Sequence, residues 1–452
     1  MKPLSIAVTL ALIATGCQAP AYMPPPTAKA GTHENDQVLV RFEPETAHAA
    51  RAALRAKYGV DSIEALPSGT ERWHVTGAPK ELAGAIAREP GVKAAHPNWV
   101  RQLQAFTPQD QDYTNEKQWH LRSGYLAMEQ IWGSSSYGTM SVTGKNVIVA
   151  VVDSGVDMSH PDLSPNIVKV NGQMASIDLV DDTFQPPTMD GNGHGTHVAG
   201  IIAAKSDSTE HGTGSNKGNV LGVAPEAQIL PVQVMRRDGG GDDFNIAKGI
   251  ESAVNWRGDG NVKVDLINLS IGGADPSPTL AASLAYAAKN GVLVVAAAGN
   301  YNQPVYYPAA YPGALAVGAL NPQGKRASYS CYGPQLAIMA PGGADPHEPS
   351  EAKGTWSGIH STFPTYPNYS GQMFYGAQAG TSMAAPVVAG IAALVISQAK
   401  TSGQSLTPDQ LKMRLVATAD DIGDPGFDNL TGWGQVNPKR ALDWVKHDGG
   451  TP

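Results

Sequence analysis

Three side chains in this sequence have the types needed to attack a carbonyl carbon: a carboxylate at Asp153, an imidazole at His194 and a hydroxyl at Ser382. A serine hydroxyl is a poor nucleophile until a neighbouring imidazole takes its proton. The imidazole in turn needs a carboxylate to hold its tautomer and stabilise its cation. Each of the three stands in a short Gly-rich segment: VVDSGVDMSHPDL (151–163), DGNGHGTHVAG (190–200) and GTSMAAPVVAG (380–390). Taken singly, each has an ordinary reading. Asp after a strand is a turn residue, His in a Gly-rich turn is structural, and Ser before an apolar run is a helix cap.

The surrounding elements decide whether the three can meet. Near-continuous apolar runs at 147–153, 228–235, 264–270 and 291–300 predict parallel strands buried on both faces. Helices are predicted between them, at 196–204 and 279–291. Functional groups of such sheets gather at the carboxyl ends of strands, where Asp153 and Asn300 stand. The run after Ser382 has no charged face, so its helix is expected to pass through the core. Pro386 near its first turn is expected to cost little, since early helical N–H groups lack partners. The stretch 342–378, rich in Gly, Pro and Tyr, reads as a long surface loop just ahead of Ser382.

Upstream, strands at 38–42, 62–66, 72–76 and 92–100 alternate with helices at 45–59 and 80–91. This βαββαβ order is the ferredoxin-like pattern. The polar stretch 107–117 separates it from the larger part.

Composition narrows the setting. With 42% apolar residues, the 452-residue chain can bury a large domain and a small one. Its net charge is −8, yet residues 1–105 hold 11 Lys/Arg against 9 Asp/Glu, so the acidic excess lies downstream. An acidic body argues against nucleic acid or an anionic membrane surface as the main partner. Two cysteines, Cys17 and Cys331, leave no disulfide framework. The opening MKPLSIAVTLALIATGC has signal-peptide length, and its small residues before Cys17 resemble a lipoprotein cleavage box. Lipidation of Cys17 or plain secretion would both take the protein out of the cytoplasm. A Pro/Ala tether follows.

The three Gly-rich segments, in the order Asp, His, Ser, resemble the active-site motifs of the subtilisin-like serine peptidases, over about residues 112 to 445. The resemblance implies a subtilisin-like α/β fold with a mainly parallel central sheet flanked by helices. It implies that Asp153 orients, His194 is the general base and acid, and Ser382 is the nucleophile of a serine endopeptidase. AAAGN (296–300) would supply Asn300 as an oxyanion donor beside the Ser382 N–H. NLSIGG (268–273) is similar to the family's substrate-pairing segment. Leu269, Ser270, Ile271 and Gly272 would line it, with Ala297, Ala298 and Gly299 across the first specificity pocket and Tyr306 at the pocket base. A structural Ca²⁺ would take Asp162, Asn216, Gly218 and Val220, with Asp112 closing the site. No catalytic cofactor is implied.

The N-terminal module then resembles the family's inhibitor-type propeptide, an intramolecular inhibitor of its own protease. The resulting division is a signal peptide (1–16), a tether (17–36), a propeptide (37–105), a linker (106–119) and a catalytic domain (120–448). The expected molecule is a monomer that acts on proteins or peptides. Two other readings stand beside this one. His194 and His197 with Asp153 could imitate a zinc site, although no HExxH glutamate is present. A lipid-anchored binding protein on a dead protease fold is the other.

Overall fold

The computed structural model describes residues 33–60, 62–103, 118–121, 125–128, 131, 142–180, 190–205, 219–345, 347, 357–365 and 374–443. Cys17, Asp112, Asn216 and Gly218 lie outside these residues.

The first module runs β1 (His33–Phe42), α1 (His48–Lys57), β2 (Ser62–Ala65), β3 (Thr70–His74), α2 (Pro79–Ile86) and β4 (Val92–Leu103). Its strands pair antiparallel in the order β2-β3-β1-β4. Alternation along β1 sends Val38, Val40 and Phe42 into a core with Leu54, Trp73 and Ile86. Leu39 points the other way, into a core cluster of the second module.

That second module contains β5 (Ile148–Asp153), the hairpin β6 (Lys169–Val170) and β7 (Gln173–Met174), β8 (Ile177–Asp178), α3 (His194–Ala203) and β9 (Gln228–Gln233). It continues through β10 (Gly240–Asp242), α4 (Asp243–Asn255), β11 (Leu266–Leu269), β12 (Ile271–Gly272), α5 (Pro278–Lys289) and β13 (Leu293–Ala297). The last elements are β14 (Ala314–Leu320), β15 (Ile338–Pro341), β16 (Ile359–Thr362), β17 (Tyr375–Gln378), α6 (Thr381–Thr401), α7 (Pro408–Ala417) and α8 (Pro438–Asp443).

Seven parallel strands in the order β15-β14-β13-β11-β5-β9-β8 form the central sheet. Both faces are covered, which is why the strands read as unbroken apolar runs. Val149 and Val151 of β5 face the cluster of α3 and α6, while Ala150 and Val152 face that of α4 and α5. Each fully buried aliphatic side chain of this kind stabilises the fold by about 1.5–3 kcal/mol. The strand order reverses at β5, with β9 on one side and β11 on the other. A crevice therefore opens at its carboxyl end, where Asp153 stands.

Two sequence expectations need correction. Part of the 342–378 stretch is a buried antiparallel pair, β16 with β17, rather than surface loop throughout. Its small polar residues hide the pattern: the Ser361 and Thr362 hydroxyls donate to the carbonyls of His197 and Thr196 on α3, both at 2.8 Å. They seat the hairpin on a helix by polar contacts, where a hydropathy pattern finds no strand. Pro386 is also less innocent than its place near the helix start suggests. It is the sixth residue of α6, so its missing N–H is the one that would have bonded the Ser382 carbonyl.

Candidate active site

Asp153 ends β5 and is fully buried. The Nδ1–H of His194, the first residue of α3, donates to Asp153 Oδ1 at 2.8 Å, and the Ser154 N–H donates to the same oxygen at 2.8 Å. A carboxylate only accepts, so Nδ1 carries a proton and Nε2 is turned away from Asp153. That Nε2 is buried and has no hydrogen-bond partner among the described residues. Gly195 is required beside it. A Cβ there would fall 2.1 Å from the Gly155 carbonyl and 3.1 Å from Asp153 Cβ, forcing the pair apart.

Asp190 holds this corner together, a residue whose part was missed in the sequence. Fully buried, it accepts from Ser154 Oγ (2.8 Å), Gly193 N (2.7 Å) and the N and Oγ1 of Thr196 (2.8 and 2.7 Å). It thereby caps α3 and ties the helix to the end of β5. Burial pushes its carboxyl up to about 6, against the pull of those donors. An acidic residue just ahead of a helix start is an available cap signal, and it was there to be read in DGNGHGTH.

Ser382, also fully buried, lies in the first turn of α6, where N–H groups lack helical partners. Helices α3 and α6 pack on each other. The Ser382 hydroxyl donates to the Ser270 carbonyl at 3.1 Å and is not hydrogen-bonded to His194. Catalytic hydrogen bonds are often unformed without substrate. Asn300 follows β13, and its Oδ1 accepts from both Thr381 N (2.8 Å) and Thr381 Oγ1 (2.9 Å). Two donors on one atom identify that atom as the oxygen, so the Asn300 Nδ2 donors are turned away from Thr381. Thr381 is a second residue that sequence reasoning missed. It also accepts from Gly299 N at 3.0 Å.

Leu269 ends β11, and Ile271 and Gly272 form β12. They do not face solvent. Ile271 and Gly272 pair antiparallel with Leu103 and Gln102 at the end of β4. On the other edge of β4, Gln102, Arg101 and Val100 pair with Gly240, Gly241 and Asp242 of β10. The tail of the first module is thus the middle strand of three, ending with Leu103 opposite Ile271, the residue after Ser270. Ala297 ends β13, and Ala298 and Gly299 follow. A Cβ on Gly299 would lie 2.9 Å from Cys331 Sγ and 3.0 Å from Tyr306 Cγ, so Tyr306 stands against that wall. Its ring stacks on Tyr301 at 5.7 Å. Burial lifts its phenol to about 12. Cys331 is buried and free, and burial raises its thiol.

The first module is held by polar contacts as well. Asn98 Nδ2 donates to Asp242 Oδ1 at 2.7 Å, and Asn98 Oδ1 accepts from Phe244 N at 2.9 Å. Ser68 N donates to Glu251 Oε2 at 3.0 Å, and Glu64 pairs with Lys248. The Thr279 N–H donates to His96 Nε2 at 3.3 Å.

Of the metal residues expected from sequence, Asp162 and Val220 are brought together. The buried Asp162 carboxylate accepts from Val220 N at 3.2 Å and from Tyr375 Oη at 3.0 Å. Beside them the Gln118 side chain bonds both the N–H and the carbonyl of Leu221. Among the described residues no three His, Cys, Asp or Glu side chains come together as a metal-holding group. His197 is fully buried with its Nε2 on the Gly376 carbonyl at 3.3 Å, and burial holds its ring well below the usual range.

Comparison with known proteins gives a consistent set. A model of the subtilase family matches residues 144–434, and one of the fervidolysin N-terminal prodomain matches residues 22–98. A thermostable alkaline protease of Halalkalibacterium halodurans is 34% identical over 416 residues, covering 91% of this chain and 93% of that protein. Subtilisin E of Bacillus subtilis is 39% identical over 304 residues, 66% of each chain. Among solved structures, fervidolysin from Fervidobacterium pennivorans, described as a keratinolytic enzyme related to subtilisin, matches with a TM-score of 0.70 at 25% identity. That match covers 92% of this chain and 62% of the fervidolysin chain.

Proposed function

The chain belongs to the subtilase family and is a subtilisin-type serine protease with a prodomain, and from that premise we propose that Asp153, His194 and Ser382 are its catalytic triad and that it cuts itself free of the prodomain. Substrate binding would bring a carbonyl carbon to the Ser382 hydroxyl. His194 Nε2 takes the hydroxyl proton as Oγ attacks, and Asp153 stabilises the resulting imidazolium. The oxyanion is received by the Ser382 N–H and Asn300 Nδ2. His194 then returns the proton to the leaving amine, and water resolves the acyl-enzyme by the same steps in reverse. Main-chain pairing along Ile271 and Gly272 accepts many sequences, which suits an endopeptidase of proteins. Tyr306 would shorten the first pocket and disfavour very large aromatic side chains.

The observation that carries this reading is the pairing of β4 with β10 and β12 beside Ser382. A prodomain seated there, over about residues 37–105, blocks the cleft of a catalytic domain at about 120–448. Expression of wild type beside Ser382→Ala tests it. Wild type is expected to yield a shorter active fragment and the variant to stay full length. Equal processing of both would show that another protease matures the chain.

Two further parts of the proposal concern calcium and export. Asp162, with oxygens of the segment reaching Val220, would hold a structural Ca²⁺, supported by one buried carboxylate drawn against that backbone. A chelator should then lower the melting temperature of the processed enzyme. Export, with a lipid on Cys17, is supported by the N-terminal sequence pattern. Loss of membrane association in Cys17→Ser tests it.

A further inference from the structure

A proline four residues after the nucleophile leaves a hole in the helix that carries it. In α6 the Ser382 carbonyl should accept from the N–H of residue 386, which is Pro386 and has none. The hole is filled from outside the helix. The Ser270 hydroxyl donates to the Ser382 carbonyl at 2.9 Å, while the Ser270 carbonyl accepts from the Ser382 hydroxyl at 3.1 Å. Asn268 Nδ2 donates to Ser270 Oγ at 3.0 Å, which leaves the Ser270 proton directed at Ser382. All three residues are fully buried.

We infer that Ser270 is a positioning residue for the nucleophile, its hydroxyl standing in for the absent Pro386 N–H. This inference rests on the reading of Ser382 as the nucleophile. The consequence is geometric. Ser270 precedes the strand that pairs with the chain in the cleft, so its two hydrogen bonds fix the distance between substrate backbone and nucleophile. A helical N–H at 386 would have held the Ser382 carbonyl as well; with proline there, the Ser270 hydroxyl holds it instead. Removing the hydroxyl leaves a buried carbonyl unmet and the Ser382 peptide plane free to tilt, while Ile271 and Gly272 still pair with substrate.

The test is a double-mutant cycle on the enzyme processed from the full chain, matured in trans by a trace of wild type where needed. Ser270→Ala is expected to lower kcat by about tenfold, the size of one net hydrogen bond lost from a reacting group, with KM unchanged. Ser270→Thr should retain activity. Ser270→Ala/Pro386→Ala, which restores an N–H opposite the carbonyl, should recover most of the lost kcat. A purely structural role for Ser270 would lower the melting temperature and the titratable active fraction but leave kcat per active site alone. Wild-type kcat per site in Ser270→Ala overturns the inference, as does a folded double variant with no recovery. Activity surviving in Ser382→Ala would instead sink the underlying nucleophile reading.

Discussion

Leu103 stands opposite Ile271 in antiparallel register, one position beyond the pairing of Gln102 with Gly272. Ser270, the residue just before Ile271, is the one whose carbonyl accepts the Ser382 hydroxyl. The first self-cleavage is therefore expected at the Gln104–Ala105 bond. The mass of the released prodomain measures it. One alanine inserted between Leu103 and Gln104 should leave the pairing in place and move the cut to the bond just before Gln104. A cut that stays at Gln104–Ala105 in that variant would show that local sequence, not register, selects the bond.

Asn98 is expected to be a main hold of the prodomain on the larger module. Its side chain meets Asp242 and the Phe244 N–H at the start of α4, adding a second acceptor to a helix that Asp242 already caps through Asn245 N. Asn98→Ala leaves the buried Phe244 N–H unmet, at about 1–3 kcal/mol, and takes one of two donors from Asp242 Oδ1. The cleaved but still associated complex should then gain activity roughly tenfold to a hundredfold faster. The lag before activity appears is the measurement, and an unchanged lag would place the holding energy elsewhere on the interface.

Much of this arrangement was legible in the sequence, and the reason differs by element. The parallel strands through 147–153 and 291–300 are buried on both faces, so their apolar runs gave them away. The strands at Ala314–Leu320 and Ile338–Pro341 carry the same signal but went unread among Gly and Pro. The Gly-rich segments around Asp153, His194 and Ser382 were readable because close backbone approach, as at Gly195, permits few substitutes. What stayed hidden were pairings across long sequence separations. Asp190 to Ser154, Thr381 to Asn300 and Ser270 to Ser382 depend on fold geometry that no local pattern encodes.

Asn300 and Thr381 should behave as one unit. On the proposed mechanism Asn300→Ala removes an oxyanion donor, and it is expected to cost about 10²–10³ in kcat, a magnitude known from subtilisin itself. Thr381→Val keeps the backbone donor to Asn300 Oδ1 but deletes the hydroxyl, so the amide is held by one bond where two held it. A loss of about tenfold in kcat is expected there, close to one net hydrogen bond, with recovery in Thr381→Ser. If Thr381→Val still costs tenfold in an Asn300→Ala background, the hydroxyl acts by some route other than Asn300.

Two buried groups should give the fold opposite responses to acid. Burial drives His120 down to about 3, so below the ordinary 6.5 the unfolded chain takes a proton that the fold refuses. Its stabilisation is present above 6.5 and is lost as pH falls toward 3, by up to about 5 kcal/mol. Asp190 has the reverse sign. Its carboxyl is lifted from 3.8 to about 6, so its contribution is full below 3.8 and is lost as pH rises through 6, by about 3 kcal/mol. Urea unfolding in the uncut Ser382→Ala background, compared with added His120→Gln or Asp190→Asn, separates them. Relative to the His120 variant, the parent should lose stability as pH drops below 6.5. Relative to the Asp190 variant, it should gain stability between pH 6 and 4. Parallel curves for parent and variant would show that the residue in question titrates alike in the folded and unfolded chain.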